Sequence, residues 1–144
     1  MKKLVGLVLI ALVGISFAFT SNKSSDDEGI IFESITVKEA MAQAKESGQL
    51  IFIDCYTSWC GPCKRMAATA FKDEDVAEVF NEQFINVKVE MEKDAEGPEL
   101  ARKYSVNAYP TLLVIDGNGK VVKKIVGGQT AEGLLRIAGS VRAN

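Results

Sequence analysis

Histidine is absent from this 144-residue chain. With it go the commonest metal ligand, the commonest general base near neutral pH, and every Ser–His or Cys–His catalytic pair. Cysteine is limited to 3 residues, too few for a disulfide-built scaffold. Charge of one sign is lacking too: 17 Lys plus Arg stand against 19 Asp plus Glu, a formal charge of −2 with no basic run. Phosphate backbones are gripped by clustered cations, so no nucleic-acid partner is expected. The remaining balance, 47% hydrophobic and 25% charged residues, is that of one ordinary globular domain.

A bilayer-spanning run is also lacking. The longest apolar stretch, Leu4 to Phe19, is short of the roughly 20 residues that a membrane helix needs. It follows Lys2 and Lys3 and ends near Ser16-Phe17-Ala18, the build of an export signal cleaved after Ala18. Residues 1–18 are therefore expected to be a signal peptide, with an uncleaved N-terminal anchor as the alternative, and the protein is expected in the periplasm. Residues 19–29, with Ser24, Ser25, Asp26, Asp27 and Glu28, form a polar leader. Residues 30–144 form the folded domain. Export would place the cysteines where disulfides persist.

Strand and helix patterns alternate along that domain. Ile30–Ile35 reads as a short strand, and Thr36-Val37-Lys38-Glu39 as a capping box opening a helix to about Ser47, closed by Gly48. Leu50–Tyr56 is a nearly continuous apolar run of the kind buried on both faces of a sheet. A helix is expected from Lys64 to about Ala70, and a second one after the Asp73 cap. Phe84–Val89 reads as a strand, Gly97–Tyr104 as a short helix, and Thr111–Ile115 as a strand. Asp116-Gly117-Asn118-Gly119 turns the chain into a partner strand over Lys120–Val126, and Thr130 caps a last helix. The pattern is that of an α/β sheet with helices on both faces.

Cys60 and Cys63 flank Gly61-Pro62 where a buried strand meets a helix. Side chains three apart on a helix have β-carbons about 5–6 Å apart, and a disulfide needs about 3.5–4.5 Å, so a small tightening joins them. A loop this short constrains the unfolded chain little, which makes the bond a poor staple and a good redox site. Unpaired amides and the positive end of the helix dipole favour a thiolate there. Cys60, nearer the tip, is the expected nucleophile and Cys63 the resolving thiol. Pro62 stiffens the turn. Half of a zinc site is the competing reading, but zinc wants four ligands and only Cys55 is left. Cys55 points away from Asp54 on the same strand and reads as a buried structural thiol.

The segment Trp59-Cys60-Gly61-Pro62-Cys63-Lys64 resembles the active site of the thioredoxin superfamily. The resemblance implies a thioredoxin fold, a central mixed β-sheet flanked by helices, over about residues 30–142. It implies that Asp54 is the buried carboxylate that exchanges a proton with the inner cysteine, and that Lys88 sits beside it. Pro110 matches the family's cis-proline, Tyr109 precedes it, and Gly127 matches a glycine of the substrate-facing surface. With Trp59, Gly61 and Pro62 these are the expected substrate-binding residues. Phe71-Lys72-Asp73-Glu74-Asp75-Val76, and the lack of proline between 62 and 98, look more like secreted thioredoxin-like proteins and the C-terminal domain of membrane thiol:disulfide interchange proteins. No cofactor and no metal are implied. The expected function is reduction of protein disulfides, supplied with electrons by a membrane donor and performed by a monomer. An oxidase or isomerase using the same cysteines, and a non-catalytic binding module, are the alternatives. Lys120, Lys123 and Lys124 read as the solvated face of an edge strand.

Overall fold

The structure, a computed structural model, describes residues 29–142. The expected signal peptide and all of the polar leader but Gly29 lie outside the described residues. Five helices and four strands follow in the order α1 (Val37–Ser47), β1 (Leu50–Tyr56), α2 (Gly61–Ala68), α3 (Glu74–Gln83), β2 (Phe84–Glu90), α4 (Gly97–Tyr104), β3 (Thr111–Ile115), β4 (Val121–Val126) and α5 (Ala131–Arg142). A single 3-10 turn, Ala70–Lys72, joins α2 to α3.

The strands form one mixed sheet in the order β2-β1-β3-β4. β1 runs parallel to β2 and antiparallel to β3, and β3 pairs antiparallel with β4. β1 is internal, which is why five of its seven residues are fully buried. Alternation along it divides the core. Ile51, Ile53 and Cys55 pack on one face with Val37 and Ala40 of α1 and Leu100 and Tyr104 of α4. Phe52 faces the other side, among Met66 of α2, Phe80 of α3 and Leu134 of α5. Helices therefore cover both faces, as the periodicity predicts.

Local signals set the ends of the elements. Thr36 Oγ1 accepts from the Glu39 amide while Glu39 reaches back to the Thr36 amide, the reciprocal cap expected from the sequence. Asp73 caps α3 through the Val76 amide, and Thr130 Oγ1 accepts from the Gly133 amide at the start of α5. Gly48 ends α1 with φ of 76°, which a residue with a Cβ adopts only with strain.

Two expectations change. Ile30–Ile35 is not a strand; it makes one isolated bridge, Glu33 to Val87. Its amides are taken elsewhere, Ile30 by the Phe71 carbonyl and Ile31 by Asn81 Oδ1. Lys124 is not simply solvated: its Nζ donates to the Tyr104 and Ser105 carbonyls and so caps the C-terminus of α4.

Candidate active site

The carboxyl end of β1 and the amino end of α2 meet at the two cysteines. α2 starts at Gly61, three residues earlier than the sequence suggests, because Cys60 itself is the N-cap: its Sγ accepts from the Cys63 amide at 3.2 Å. Pro62 falls in the first turn, where its missing N–H costs nothing. Cys60 and Cys63 form a disulfide, with Cα atoms 5.3 Å apart. They are 3% and 5% exposed, so accessibility does not rank them. Their surroundings do. Cys60 caps a helix whose free amides and dipole favour an anion, whereas Cys63 faces inward and lines a cavity of about 130 Å³ with Asp54, Thr57 and Lys88.

Strand register builds the floor of that cavity. Asp54 on β1 stands directly opposite Lys88 on β2, so both side chains leave the sheet on the same face. Lys88 Nζ lies 3.6 Å from Asp54 Oδ2, an ion pair too long for a strong hydrogen bond. The ammonium also sits 4.7 Å from the Tyr56 ring centroid, 5.1 Å from Phe32 and 5.7 Å from Phe71. These three rings hold the cation over the carboxylate through their π-faces. Asp54 is 1% exposed. Burial raises its pKa to about 6, against the opposing pull of Lys88. Near neutrality it is therefore mostly ionised, and still basic enough to take a proton. Cys55, on the opposite face, is pushed up to about 12 by burial, with Asp54 adding to the rise.

The residues expected to meet substrate converge around the disulfide. Trp59 is 64% exposed, its ring edge-on to Tyr109 at 6.0 Å, and its indole N–H donates to Glu92 Oε2. The Tyr109–Pro110 peptide is cis. The Pro110 carbonyl accepts from the Gly127 amide at 2.8 Å, which ties the loop before β3 to the loop after β4. Gly127 has φ of 100°, and a β-carbon at neighbouring Gly128 would lie 3.7 Å from Pro62. Gly61 has open space around it. A groove of about 530 Å³ leads away from Pro62 and Gly128 between α2 and the start of α5. The expected catalytic and substrate-binding residues thus lie towards this end of the sheet.

Three further residues matter that sequence reasoning passes over. Glu90, at the end of β2, accepts from the amides of Ser58, Glu92 and Lys93 and so fastens the loop that carries Trp59 and Cys60. Burial pushes its pKa up, but these amides outweigh it and hold the carboxyl below its ordinary range. Glu92 steadies the Trp59 ring, and buried Thr57 is among the residues that line the Asp54 cavity. Counting two residues along β2 from Lys88 would have put Glu90 on the same face as the site; nothing in the sequence marks the other two. Among the described residues, no group of three or more His, Cys, Asp or Glu could hold a metal ion.

This arrangement can carry out dithiol–disulfide exchange. One sulfur sits at a helix start, a second is bonded to it, and a buried carboxyl lines the same cavity as the second. Residues 37–141 match the family model of the thioredoxin-like domain. The chain belongs to that thioredoxin-like family, and its fold, family and cysteine pair define a thiol–disulfide oxidoreductase.

Thioredoxin from Chlorobaculum thiosulfatiphilum is 32% identical over 99 residues, covering 69% of this chain and 84% of its own. The bifunctional thioredoxin reductase/thioredoxin of Mycobacterium leprae is 30% identical over 87% of this chain, which spans only 26% of that longer protein. Among solved structures, a candidate disulphide-isomerase from Bacteroides thetaiotaomicron is 45% identical with a TM-score of 0.70, covering 81% of this chain and 97% of that one. The DsbD C-terminal domain of Neisseria meningitidis, in its oxidised form, shares the fold at 23% identity and a TM-score of 0.59, over 81% and 99% of the two chains.

Proposed function

We propose that the protein is an exported reductase of protein disulfides. The observation that carries the reading is the Cys60–Cys63 disulfide at the amino end of α2, with Cys63 bordering the cavity that holds Asp54. In the reduced protein the Cys60 thiolate attacks a substrate disulfide, and one substrate sulfur leaves. A mixed disulfide remains on Cys60. Cys63 loses its proton to Asp54, attacks Cys60 Sγ and releases the second substrate sulfur as the internal disulfide forms. Lys88 keeps the Asp54 anion tolerable between turnovers. Trp59, Gly61, Pro62, Tyr109, Pro110 and Gly127 border the segment of substrate that carries the attacked sulfur.

The reducing direction is supported by Gly61-Pro62 between the cysteines and by the absence of any imidazole that could stabilise the Cys60 thiolate further. Lys2-Lys3, the following apolar run and the small residues at Ser16 and Ala18 support export, with maturation after Ala18. An exported reductase must be recharged from the membrane, so a membrane electron donor completes the cycle; the protein works as a monomer on disulfide-bearing polypeptides. Isomerase activity is the second reading, favoured by the Bacteroides relative.

Equilibration with glutathione redox buffers decides between the two. A reductase shows a potential well below about −200 mV, near the ~ −270 mV of thioredoxin, whereas a value near −180 mV or above assigns the protein to isomerisation or oxidation. Fractionation of the native cell tests export: protein retained in the cytoplasm would overturn it.

A further inference from the structure

We infer that the groove between α2 and α5 receives the stretch of substrate chain beside the attacked cysteine, and that Arg65 selects for a carboxylate there. The inference deepens the protein-disulfide reading proposed above and rests on it. The groove, about 530 Å³, opens at Pro62 and Gly128 beside the disulfide, so it directly continues the site for a polypeptide held at Cys60. Pro62, Arg65, Met66 and Thr69 follow one another at the steps that keep residues on one helix face, and that face forms one wall. The floor is apolar: Pro62 and Met66 of α2, Ala70 of the following turn and Ala131 of α5.

The other polar side chains of the rim are committed within the protein. Thr69 Oγ1 donates to the Arg65 carbonyl, and Thr130 Oγ1 accepts from the Gly133 amide. Gln129 Nε2 donates to the Gly127 and Gly128 carbonyls, and Asp73 Oδ1 accepts from the Val76 amide. Arg65 differs. It is exposed, and among the described residues its guanidinium has no ion pair, not even with Asp73 of the same groove, and no hydrogen bond. A guanidinium presents a planar fork of donors that holds a carboxylate through two parallel bonds.

Helix geometry sets where that carboxylate must be. Arg65 comes five residues after Cys60, about 7 Å along the axis of α2 at ~1.5 Å per residue. An extended chain advances ~3.3 Å per residue, so the carboxylate belongs about two to four residues from the attacked cysteine. Farther along the groove, Asp73, with Glu74 and Asp75 behind it in the first turn of α3, repels a second anion. The preferred substrate is a polypeptide with one Asp or Glu close to its disulfide and no acidic run beyond it. The thiol chemistry is unchanged; the selection acts on capture.

The test presents reduced protein with short peptides that carry one cysteine activated as a pyridyl disulfide. Glu, Gln or Lys stands two, three or four residues to either side of that cysteine. As the bond from Cys60 to the peptide sulfur forms, the bond to the pyridyl sulfur breaks, and the absorbance of the uncharged thiopyridone reports the rate of capture. Wild type should take the Glu peptide about fivefold faster than the Lys peptide, on one side of the cysteine only, with Gln between them and the difference erased by salt. A formal charge of −2 favours the Lys peptide, so this preference runs against the overall field of the chain. Arg65→Gln should bring the ratio to about one, and Arg65→Glu should invert it. Lys38→Glu makes the same change of net charge on α1, across the sheet, and should keep the wild-type ratio. Each ratio is taken within one variant, so a smaller folded fraction does not move it.

Equal rates for the Glu and Lys peptides in wild type overturn the inference and leave the groove to another occupant, such as a second copy of the chain. A preference of equal size on both sides of the cysteine overturns it as well, and so does one that survives Arg65→Glu or is lost in Lys38→Glu, because a cation in the groove would then not be its cause. A wild-type protein that releases thiopyridone from no peptide overturns the oxidoreductase reading itself.

Discussion

Asp54→Asn removes a charge that the fold buries and offers a direct measure of what the site costs. Burial raises the Asp54 pKa from an ordinary 3.8 to about 6, with Lys88 opposing. Below pH 3.8 the carboxyl is protonated in folded and unfolded chains alike, and it contributes no pH-dependent difference. Between 3.8 and about 6 only the folded chain retains the proton, so stability falls as pH rises through that window. Above it the folded protein carries a buried anion at a cost of roughly 3 kcal/mol. Asn keeps the size and a polar tip but cannot ionise, and Lys88, whose side chain is 30% exposed, can turn to solvent when its partner is lost.

The disulfide form of the variant should therefore be more stable than wild type by about 2–3 kcal/mol at slightly alkaline pH, with the gain shrinking towards zero at acid pH. Urea unfolding at several pH values measures this, and urea is preferable to guanidinium chloride because salt would screen the ion pair. An equal gain at acid and alkaline pH would refute the electrostatic account, as would a variant less stable than wild type at alkaline pH. The same substitution should slow the resolving step, which separates what the carboxylate does for catalysis from what it does to the fold.

Lys88→Met should keep the packing against Phe32, Tyr56 and Phe71 and remove the charge that holds the Asp54 pKa down. The acid end of the wild-type stability profile should then extend above pH 6, visible in the same urea series. Gly127→Ala should cost about 1 kcal/mol or more from backbone strain alone, since φ is 100° and no atom crowds the added carbon; activity should fall with it, because the bond to Pro110 is disturbed. Thermal melting of Thr36→Ala should show a loss of about 1 kcal/mol at the start of α1 with no change in thiol exchange.

The elements most legible in the sequence are those whose local and long-range preferences agree. β1 occupies Leu50–Tyr56 as its apolar run suggests, because an internal strand of a doubly covered sheet has no polar face to show. Thr36 and Asp73 mark their helices because a cap needs only neighbours in sequence. Ile30–Ile35 misleads for the opposite reason: its β-rich composition serves packing, with Phe32 turned into the cluster around Phe52 and Phe71 and the backbone held by Phe71 and Asn81.

At the site, the spacing of Cys60 and Cys63 reveals the chemistry, and resemblance points to Asp54, Lys88 and Pro110. Glu90, Glu92 and Thr57 escape because their partners are backbone amides, an indole nitrogen and a cavity, all assembled by tertiary contact. The aromatic surround of Lys88 draws on three separate segments and has no linear signature.

The sheet also acts as an insulating partition between sulfurs. Three cysteines allow three pairings, yet Cys55 is 0% exposed and belongs to the packing layer opposite the one that Phe52 and Asp54 face. Strand β1 itself stands between that thiol and the reactive pair, and a pKa of about 12 leaves almost none of it as the anion that would attack. Scrambling is thereby closed off by geometry and by acidity at once. The chain can tolerate an odd number of cysteines in an oxidising milieu and still confine its internal disulfide to one pairing.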